Sequence, residues 1–273
     1  MTDMADETHG LGTPGYEYIQ RILATSPDDD GPVWMVNFMH YRAEAAYLDG
    51  SRGLTGREAD DLYAPLEVLD AIGATVPFVG DVVLQLDPNQ PRWDRIGVVR
   101  YPTRASFLQM QTRPDFQELV VHKVAGMAST IVTGCQPLPV PDGMRPDPTS
   151  WAALDHAPTD DDGPVMVVHM MKFAPGGLSA GMALYQAKAG QLVKKYGGGP
   201  AAMFTVEGTV LGDGRSWDQV RFVAYPSMRA FAAMVADPER VEAQASHRND
   251  ALEHTYTVVV RATRDTFTTA GPV

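Results

Sequence analysis

An internal repeat constrains the fold of this chain more than any other feature. Residues 28–33 read DDDGPV, and the same six letters recur at 160–165. Later pairs keep their order, with WDR at 93–95 against WDQ at 217–219, and YPT at 101–103 against YPS at 225–227. The offset is 132 residues at the start and 124 at the later pairs, a drift that loop deletions explain. We therefore predict a tandem duplication.

The repeat sets the expected domain boundaries. We predict an N-terminal extension at 1–27 that is partly disordered, a first unit at 28–137 and a second unit at 160–264. Between the units, 138–159 is rich in proline and is predicted to be a semi-rigid linker. The remaining residues, 265–273, are expected to form a C-terminal tail.

Each unit is predicted to have the order strand, helix, strand, strand, helix, strand. Hydrophobic spacing and turn residues place the first unit's elements at 33–39, 53–73, 76–86, 93–100, 103–127 and 130–133. A capping box of Thr55 and Glu58 marks its first helix, and Pro65 is expected to kink that helix or to mark a later start. The second unit's elements are expected from 165 onward and at 179–196, 203–211, 217–224, 227–252 and 255–261. This order is typical of the ferredoxin-like fold, so the predicted class is α+β.

The first strand of each unit is apolar on both faces. Val33, Met35 and Met39 point one way along the first strand, and Trp34, Val36 and Phe38 point the other way. Helices cover one face of such a sheet, so the other face also needs a cover. The second unit supplies a sheet in the same chain. We therefore predict two units packed sheet to sheet as an intrachain barrel.

Composition excludes several classes of function. The net charge of -12 disfavours binding to nucleic acid and to anionic membranes. The single cysteine, Cys135, excludes an internal disulfide and cysteine-rich zinc sites. The sequence shows no apolar run long enough to span a membrane and no secretion signal at residues 1–10. We expect a cytoplasmic protein.

Several motifs carry a resemblance to a known superfamily. They are GPV at 31–33 through Asn37, LTGREA at 54–59, WDR at 93–95 through YPTRA at 101–105, and in the second unit WD at 217–218, YPS at 225–227 and HR at 247–248. These residues resemble the dimeric α/β-barrel superfamily, and most closely a family of short uncharacterised bacterial proteins. Most members are homodimers of one unit, so the resemblance implies a fused dimer. It also implies an activity among cofactor-free monooxygenases, polyketide cyclases, lactone isomerases and haem-dependent enzymes.

Polar residues inside apolar segments are the candidate site residues. Asn37 and His169 occupy equivalent places in the two first strands, where they face a pocket or are satisfied core side chains. His247 lies on the inward face of the last helix, where the first unit has Lys123. Tyr63 and Tyr185 match within the first helices.

The leading hypothesis is an enzyme that acts on a small apolar molecule, aromatic or polyketide-like. Cyclisation, isomerisation or oxygenation would proceed without a cofactor or metal. His169 and His247 would move protons, while Asn37, Tyr63 and Tyr185 would orient the substrate or stabilise an enolate. One alternative is a haem enzyme or carrier with His247 as the axial ligand. Another is a non-catalytic binding or stress-response protein. A homodimer of the two-unit chain stays open.

Overall fold

The chain has the predicted α+β class. The computed structural model describes residues 11–176, 183–243 and 251–269, with the side chains of 183–188 and 243 left out. Its strands are β1 (Thr13–Pro14), β2 (Val33–Tyr41), β3 (Thr75–Gln85), β4 (Arg95–Tyr101), β5 (Met127–Leu138), β6 (Val165–Phe173), β7 (Gly199–Gly212), β8 (Gln219–Tyr225) and β9 (Leu252–Asp265). Its helices are α1 (Tyr16–Leu23), α2 (Gly56–Tyr63), α3 (Leu66–Ala71), α4 (Arg104–Met110), α5 (Pro114–Gly126), α6 (Ala183–Lys195), α7 (Met228–Ala236) and α8 (Pro238–Ala243), with a 3₁₀ helix at Pro148–Ala153.

Two compact units share the chain, but they are not contiguous halves. Unit 1 contains Met1–Val79, Arg92–Gln136 and Val206–Ser216, and unit 2 contains Gly80–Pro91, Pro137–Thr205 and Trp217–Val273. The two long strands β3 and β7 are therefore each divided between the units. The repeat shows where the sequence recurs, whereas the units show which residues pack together. The common origin of the two copies and their sheet-to-sheet packing stay predictions.

In unit 1, β2 is the central strand. It pairs antiparallel with β4 on one side and with β5 on the other, so that Asn37 lies opposite Gly97 and Val132. Val33 and Met35 pack into a core with Phe107 and Phe116, which belong to α4 and α5. Since side chains alternate along a strand, Asn37 lies on this helix-covered face.

Unit 2 repeats this arrangement around β6. This strand pairs antiparallel with β8 and β9, so that His169 lies opposite Arg221 and Thr257. Val165 and Val167 pack against Phe231 and Met234 of α7. His169 is therefore on the helix-covered face of its sheet, as Asn37 is in unit 1.

Both faces of β2 and β6 are buried. Val36 and Phe38 on one strand and Val168 and Met170 on the other are fully inaccessible to solvent. This agrees with the prediction that helices cover one face and that the second face is also covered.

Two aspartates explain why the DDDGPV motif recurs. Asp30 accepts the backbone N–H groups of Arg104 and Ala105, in the first turn of α4. Asp162 accepts the N–H groups of Met228 and Arg229, in the first turn of α7. These N–H groups have no partner within their own helices, so a carboxylate there satisfies them and favours the helix dipole. The motif is structural.

The Trp-Asp pairs also have a structural role. A register shift occurs at the end of β2 between His40 and Tyr41, and Asp94 accepts the freed N–H of Tyr41 at 2.8 Å. Asp218 accepts the N–H of Phe173 at 2.8 Å, at the same place in β6. Each aspartate thereby compensates a β-bulge.

Several predicted boundaries were wrong. Pro65 divides the expected helix 53–73 into α2 and α3, because proline cannot continue the hydrogen-bonded ladder. The tryptophans at 93 and 217 precede their strands rather than beginning them, and Leu252 starts β9 rather than ending a helix. The predicted start of a helix at 179 lies outside the described residues.

Segments expected to be linker and tail pack onto unit 2. Trp151 is buried within the segment 138–159, and its indole N–H donates to the carbonyl of Gly197 at 2.7 Å. Phe267 is fully buried against Phe204 and Phe222. In the N-terminal extension, α1 buries Tyr18 and Ile22 in unit 1, and residues 1–10 lie outside the described part.

Candidate functional site

His169 is the most distinctive polar residue on the helix-covered face of unit 2. It is half-buried, although its neighbours Val168 and Met170 are fully inaccessible. Its Nδ1 atom lies 3.2 Å from the hydroxyl oxygen of Thr257, the residue opposite it on β9. A hydrogen bond at one ring nitrogen fixes the orientation of the imidazole and sets which nitrogen carries the proton.

A cation lies beside His169 on the other neighbouring strand. Arg221 is opposite His169 in the β6–β8 ladder and is half-buried. Its Nε donates to the side-chain oxygen of Gln219 at 3.1 Å, which holds the guanidinium along the sheet face. Across three strands, unit 2 therefore presents a row of His169, Arg221 and Thr257, which we call the polar row.

The equivalent row in unit 1 is much less polar. Asn37, Gly97 and Val132 occupy the same register positions there. One amide N–H of Asn37 donates to the carbonyl of Met35 at 3.0 Å, so part of its hydrogen-bonding capacity is used locally. Asn37 is half-buried, and a Cβ placed on Gly97 would meet only the terminal methyl of Met39, at 3.4 Å. A Cβ at this position would therefore displace no backbone atom.

Tyr63 lies in unit 1, at the end of α2. Its ring packs edge-on against Phe116 at 6.0 Å between centroids, and Lys123 Nζ lies 4.9 Å from its centroid. Burial, followed by the field of Asp60, raises the pKa of Tyr63 above its usual value. The phenol therefore stays protonated at physiological pH and serves as a hydrogen-bond donor.

The acidic group near this tyrosine is already engaged. Asp60 is only 6% exposed, accepts a hydrogen bond from Tyr41 at 2.6 Å, and pairs with Arg95 at 3.0 Å. Burial first, then the charge of Asp60, raises the pKa of the Tyr41 phenol. The three groups form a closed network that holds α2 on the sheet.

The structure does not bring all the predicted residues into one unit. Asn37 and Tyr63 belong to unit 1, whereas His169 belongs to unit 2. Tyr185 lies in α6, but its side chain is outside the described part, and His247 lies outside it altogether.

Two other groups of polar side chains in unit 1 have local partners. His122 lies 2.7 Å from the hydroxyl of Tyr47. Asp94 binds His40 and Arg92 in addition to the backbone of Tyr41, whereas Arg95 binds Asp60. Both contacts favour structural roles.

Sequence reasoning missed Arg221 and Thr257. Each is a polar residue in a strand whose flanking residues are apolar, as Asn37 and His169 are. The repeat could have aligned Arg221 with Gly97, but only the strand register shows that Arg221 and Thr257 flank His169.

A cavity of about 230 Å³ lies in unit 2. Met203, which is opposite Arg221 in the β7–β8 ladder, contributes to its wall. The other lining residues are Pro137, Leu138, Pro139, Val140, Arg145 and Ala202. The lining is mostly apolar, as expected for a site that binds a small apolar molecule.

The described ranges hold no candidate metal site and no candidate membrane-spanning helix. In residues 11–176, 183–243 and 251–269, no three side chains of His, Cys, Asp or Glu lie close enough to hold a metal ion. Within the same ranges, no helix is both long and apolar enough to cross a membrane.

Comparison with known proteins shows similarity to solved structures. The sequence matches no protein-family model, and no curated protein sequence matches it. The protein of unknown function RPA0582 from Rhodopseudomonas palustris is 30% identical, over 48% of this chain and 96% of that protein, with a TM-score of 0.43. The whole of that protein thus corresponds to about half of this chain.

Two further structures are similar over most of the chain. An anthrone oxidase-like protein is 12% identical over 88% of this chain and 94% of that one, with a TM-score of 0.51. A chlorite dismutase variant from Candidatus Nitrospira defluvii is 12% identical over 89% of this chain and 94% of that one, with a TM-score of 0.47. At such low identity the first likeness concerns the fold alone.

Proposed function

We infer the function of this chain, which by sequence identity belongs to the same family as RPA0582, from the side chains that its own sheets present. We propose that unit 2 carries the active site of a small-molecule enzyme that removes a proton from a carbon next to a carbonyl group. The single observation that carries the proposal is the polar row, in which a half-buried imidazole lies between an arginine and a threonine on adjacent strands.

His169 would be the base that accepts the proton. An imidazole accepts and returns a proton at a ring nitrogen and needs no metal to do so. The contact of its Nδ1 with Thr257 supports this role, because a base must hold one orientation toward its substrate. His247, proposed from the sequence as a second proton carrier, lies outside the described residues, and its role stays a prediction.

Arg221 would stabilise the enolate oxygen that forms when the proton leaves. A guanidinium is permanently charged and donates hydrogen bonds in a fixed plane. A donor placed where negative charge develops lowers the barrier most when water is excluded. Arg221 lies opposite His169 on the next strand, so the base and the oxyanion donor are neighbours on one sheet face.

The substrate would be mainly apolar, aromatic or polyketide-like. Apolar residues surround the polar row on β6, with Val167 and Met171 on the same face, and Met203 on β7 borders the cavity. Deprotonation next to a carbonyl is the first step of isomerisation and of cyclisation by carbon–carbon bond formation. It also precedes cofactor-free oxygenation, so this one step serves each reaction predicted from the sequence.

A proton-exchange assay tests this proposal before the natural substrate is identified. We would incubate the protein in D₂O with a panel of aryl ketones and aromatic 1,3-diketones and follow deuterium at the α-carbon by NMR. The wild-type protein should accelerate exchange of at least one compound above the buffer rate, and His169→Asn should abolish that acceleration. Equal exchange by both proteins would contradict the assignment of His169.

A further inference from the structure

Lys123 has an environment unlike that of the other described lysine side chains. It is half-buried, and its Nζ lies 4.9 Å from the ring centroid of Tyr63. No carboxylate or carbonyl oxygen binds it among the described residues. In contrast, Lys172 pairs with Asp218 at 2.9 Å, Lys195 pairs with Asp237 at 2.9 Å, and Lys194 donates to the carbonyl of Gly143 at 3.2 Å.

The charged groups near Lys123 do not neutralise it. Asp60, the carboxylate whose field reaches the amine, is bound by Tyr41 and Arg95. Burial lowers the pKa of Lys123, and the field of Asp60 opposes this effect without cancelling it. A larger fraction of the amine is therefore unprotonated and nucleophilic at neutral pH than for an exposed lysine.

The position of this amine is fixed by close contact between α2 and α5. A Cβ on Gly56 would clash with the carbonyl oxygens of Gly126 and Arg42, so only glycine allows the two helices to approach this closely. The N–H of Arg42 also donates to the carbonyl of Gly126 at 2.9 Å. Lys123 lies one turn before Gly126 on α5, and Tyr63 is at the other end of α2.

The surroundings of the amine are mainly apolar. Phe116 is buried two turns earlier on the same helix, and Leu119 and Val120 pack against the same core cluster. An uncharged molecule fits these apolar surroundings better than an anion. Burying a negative charge among apolar side chains costs free energy unless the charge is paired.

We propose that Lys123 is a carbonyl-reactive amine that forms an imine with a small apolar aldehyde or ketone in unit 1. The nitrogen lone pair adds to the carbonyl carbon, and one proton of the amine moves to the oxygen to give a carbinolamine. The second proton of the amine moves to the hydroxyl group, which leaves as water as the carbon–nitrogen double bond forms. No oxidant or reductant is required. This site is separate from the polar row and uses a residue that the proposed function does not.

Reductive trapping tests the site on the intact chain. Benzaldehyde and cyanoborohydride at near-neutral pH convert an imine into a stable secondary amine, which peptide mass spectrometry locates. We expect Lys123 to be labelled several-fold faster than Lys172, Lys194 and Lys195. The competing lysines are internal controls within one molecule, so the comparison does not depend on a variant that folds.

A variant and a pH series complete the experiment. Lys123→Arg keeps the positive charge but forms no imine, so it should remove the fast phase of labelling and leave the slow labelling of the other lysines unchanged. The rate of labelling at Lys123, whose pKa burial lowers, should level off at lower pH than the rate at Lys195, whose pKa the Asp237 carboxylate raises. Uniform labelling of all lysines, or the absence of labelling at Lys123, would overturn the proposal, whatever the result of the exchange assay for His169.

Discussion

The imidazole Nδ1 of His169 lies 3.2 Å from the hydroxyl oxygen of Thr257, across the β6–β9 ladder. In unit 1 the equivalent pair is Asn37 and Val132, which cannot make this contact through a hydroxyl. The same fold position thus holds an oriented imidazole in one unit and an amide bound to its own strand in the other.

Removing the Thr257 hydroxyl should weaken proton transfer more than binding. Thr257→Val keeps the shape of the side chain but leaves His169 Nδ1 without this partner. We expect the first-order exchange rate at saturation to fall about 5- to 20-fold, while the substrate concentration for half-saturation changes little, because general acid–base catalysis as a whole contributes about 10²–10⁴-fold. Thr255→Val is the matched control, since Thr255 donates to the backbone carbonyl of Met170 rather than to His169. An equal effect of both variants would contradict an orienting role for Thr257.

Removing the charge of Arg221 should reduce transition-state stabilisation. Arg221→Met retains much of the apolar side chain, and we expect the exchange rate to fall by about 10²-fold, in line with loss of one oxyanion donor. Steady-state exchange kinetics measure this. A change confined to the half-saturation concentration would show that Arg221 only binds the substrate.

Breaking the buried Asp60–Arg95 ion pair should lower the free energy of unfolding. Asp60→Asn leaves the Arg95 guanidinium, which is 12% exposed, without its buried carboxylate partner, and only Asp61 remains beside it. Breaking a buried ion pair on one side costs about 3–5 kcal/mol. Because Asp61 still binds Arg95, we expect a loss of about 2–3 kcal/mol in the free energy of unfolding, from urea titration. Asp61→Asn, at a half-exposed carboxylate, should cost under about 1 kcal/mol.

The carboxylate of Asp162, which binds the first turn of α7, should contribute to the loss of folding stability at acidic pH. Burial disfavours its charged form, but hydrogen bonds from the N–H groups of Met228 and Arg229 outweigh this and lower the pKa of its carboxyl. A carboxyl whose pKa is lower in the folded state stabilises the fold above its unfolded pKa, and this stabilisation is lost as pH falls through the folded pKa. Asp162→Asn removes this charge from the helix N-terminus and should therefore destabilise the protein by about 0.3–1 kcal/mol at neutral pH.

The same variant should have a flatter stability profile below about pH 4, the unfolded pKa of an aspartate. Thermal unfolding from acidic to neutral pH measures both effects. If the unfolding temperatures of wild type and Asp162→Asn fall in parallel as pH is lowered, this carboxylate does not contribute to the loss of stability in acid.

The proposed chemistry needs no haem. Titration of the purified protein with haemin should therefore give the spectrum of free haemin, without a shifted Soret band. A shifted band that disappears in His247→Ala would instead support the haem alternative, with His247 as the axial ligand.

The sequence predicted much of the local structure correctly. Thr55 and Glu58 form the expected capping box, and Gly73 adopts the left-handed conformation expected at a helix end. Such features depend on neighbouring residues, so a single sequence is enough to identify them. The polar positions of Asn37 and His169 on the first strands were also visible from hydrophobic alternation.

Contacts between residues that are far apart in the sequence could not be predicted. Arg221 and Thr257 are 52 and 88 residues from His169 in sequence, and only the strand register places them beside it. The division of β3 and β7 between the two units was also not predicted, because it depends on where each strand end packs.

The most direct test of the account compares two histidines of unit 2 in the D₂O exchange assay. His156 stacks on Tyr196 with a centroid distance of 6.5 Å and lies outside the polar row. We predict that His156→Asn exchanges deuterium into the substrate at the wild-type rate, whereas His169→Asn falls to the buffer rate while its unfolding temperature stays close to that of the wild-type protein. Exchange by His169→Asn at the wild-type rate would contradict the central claim that this imidazole moves the proton.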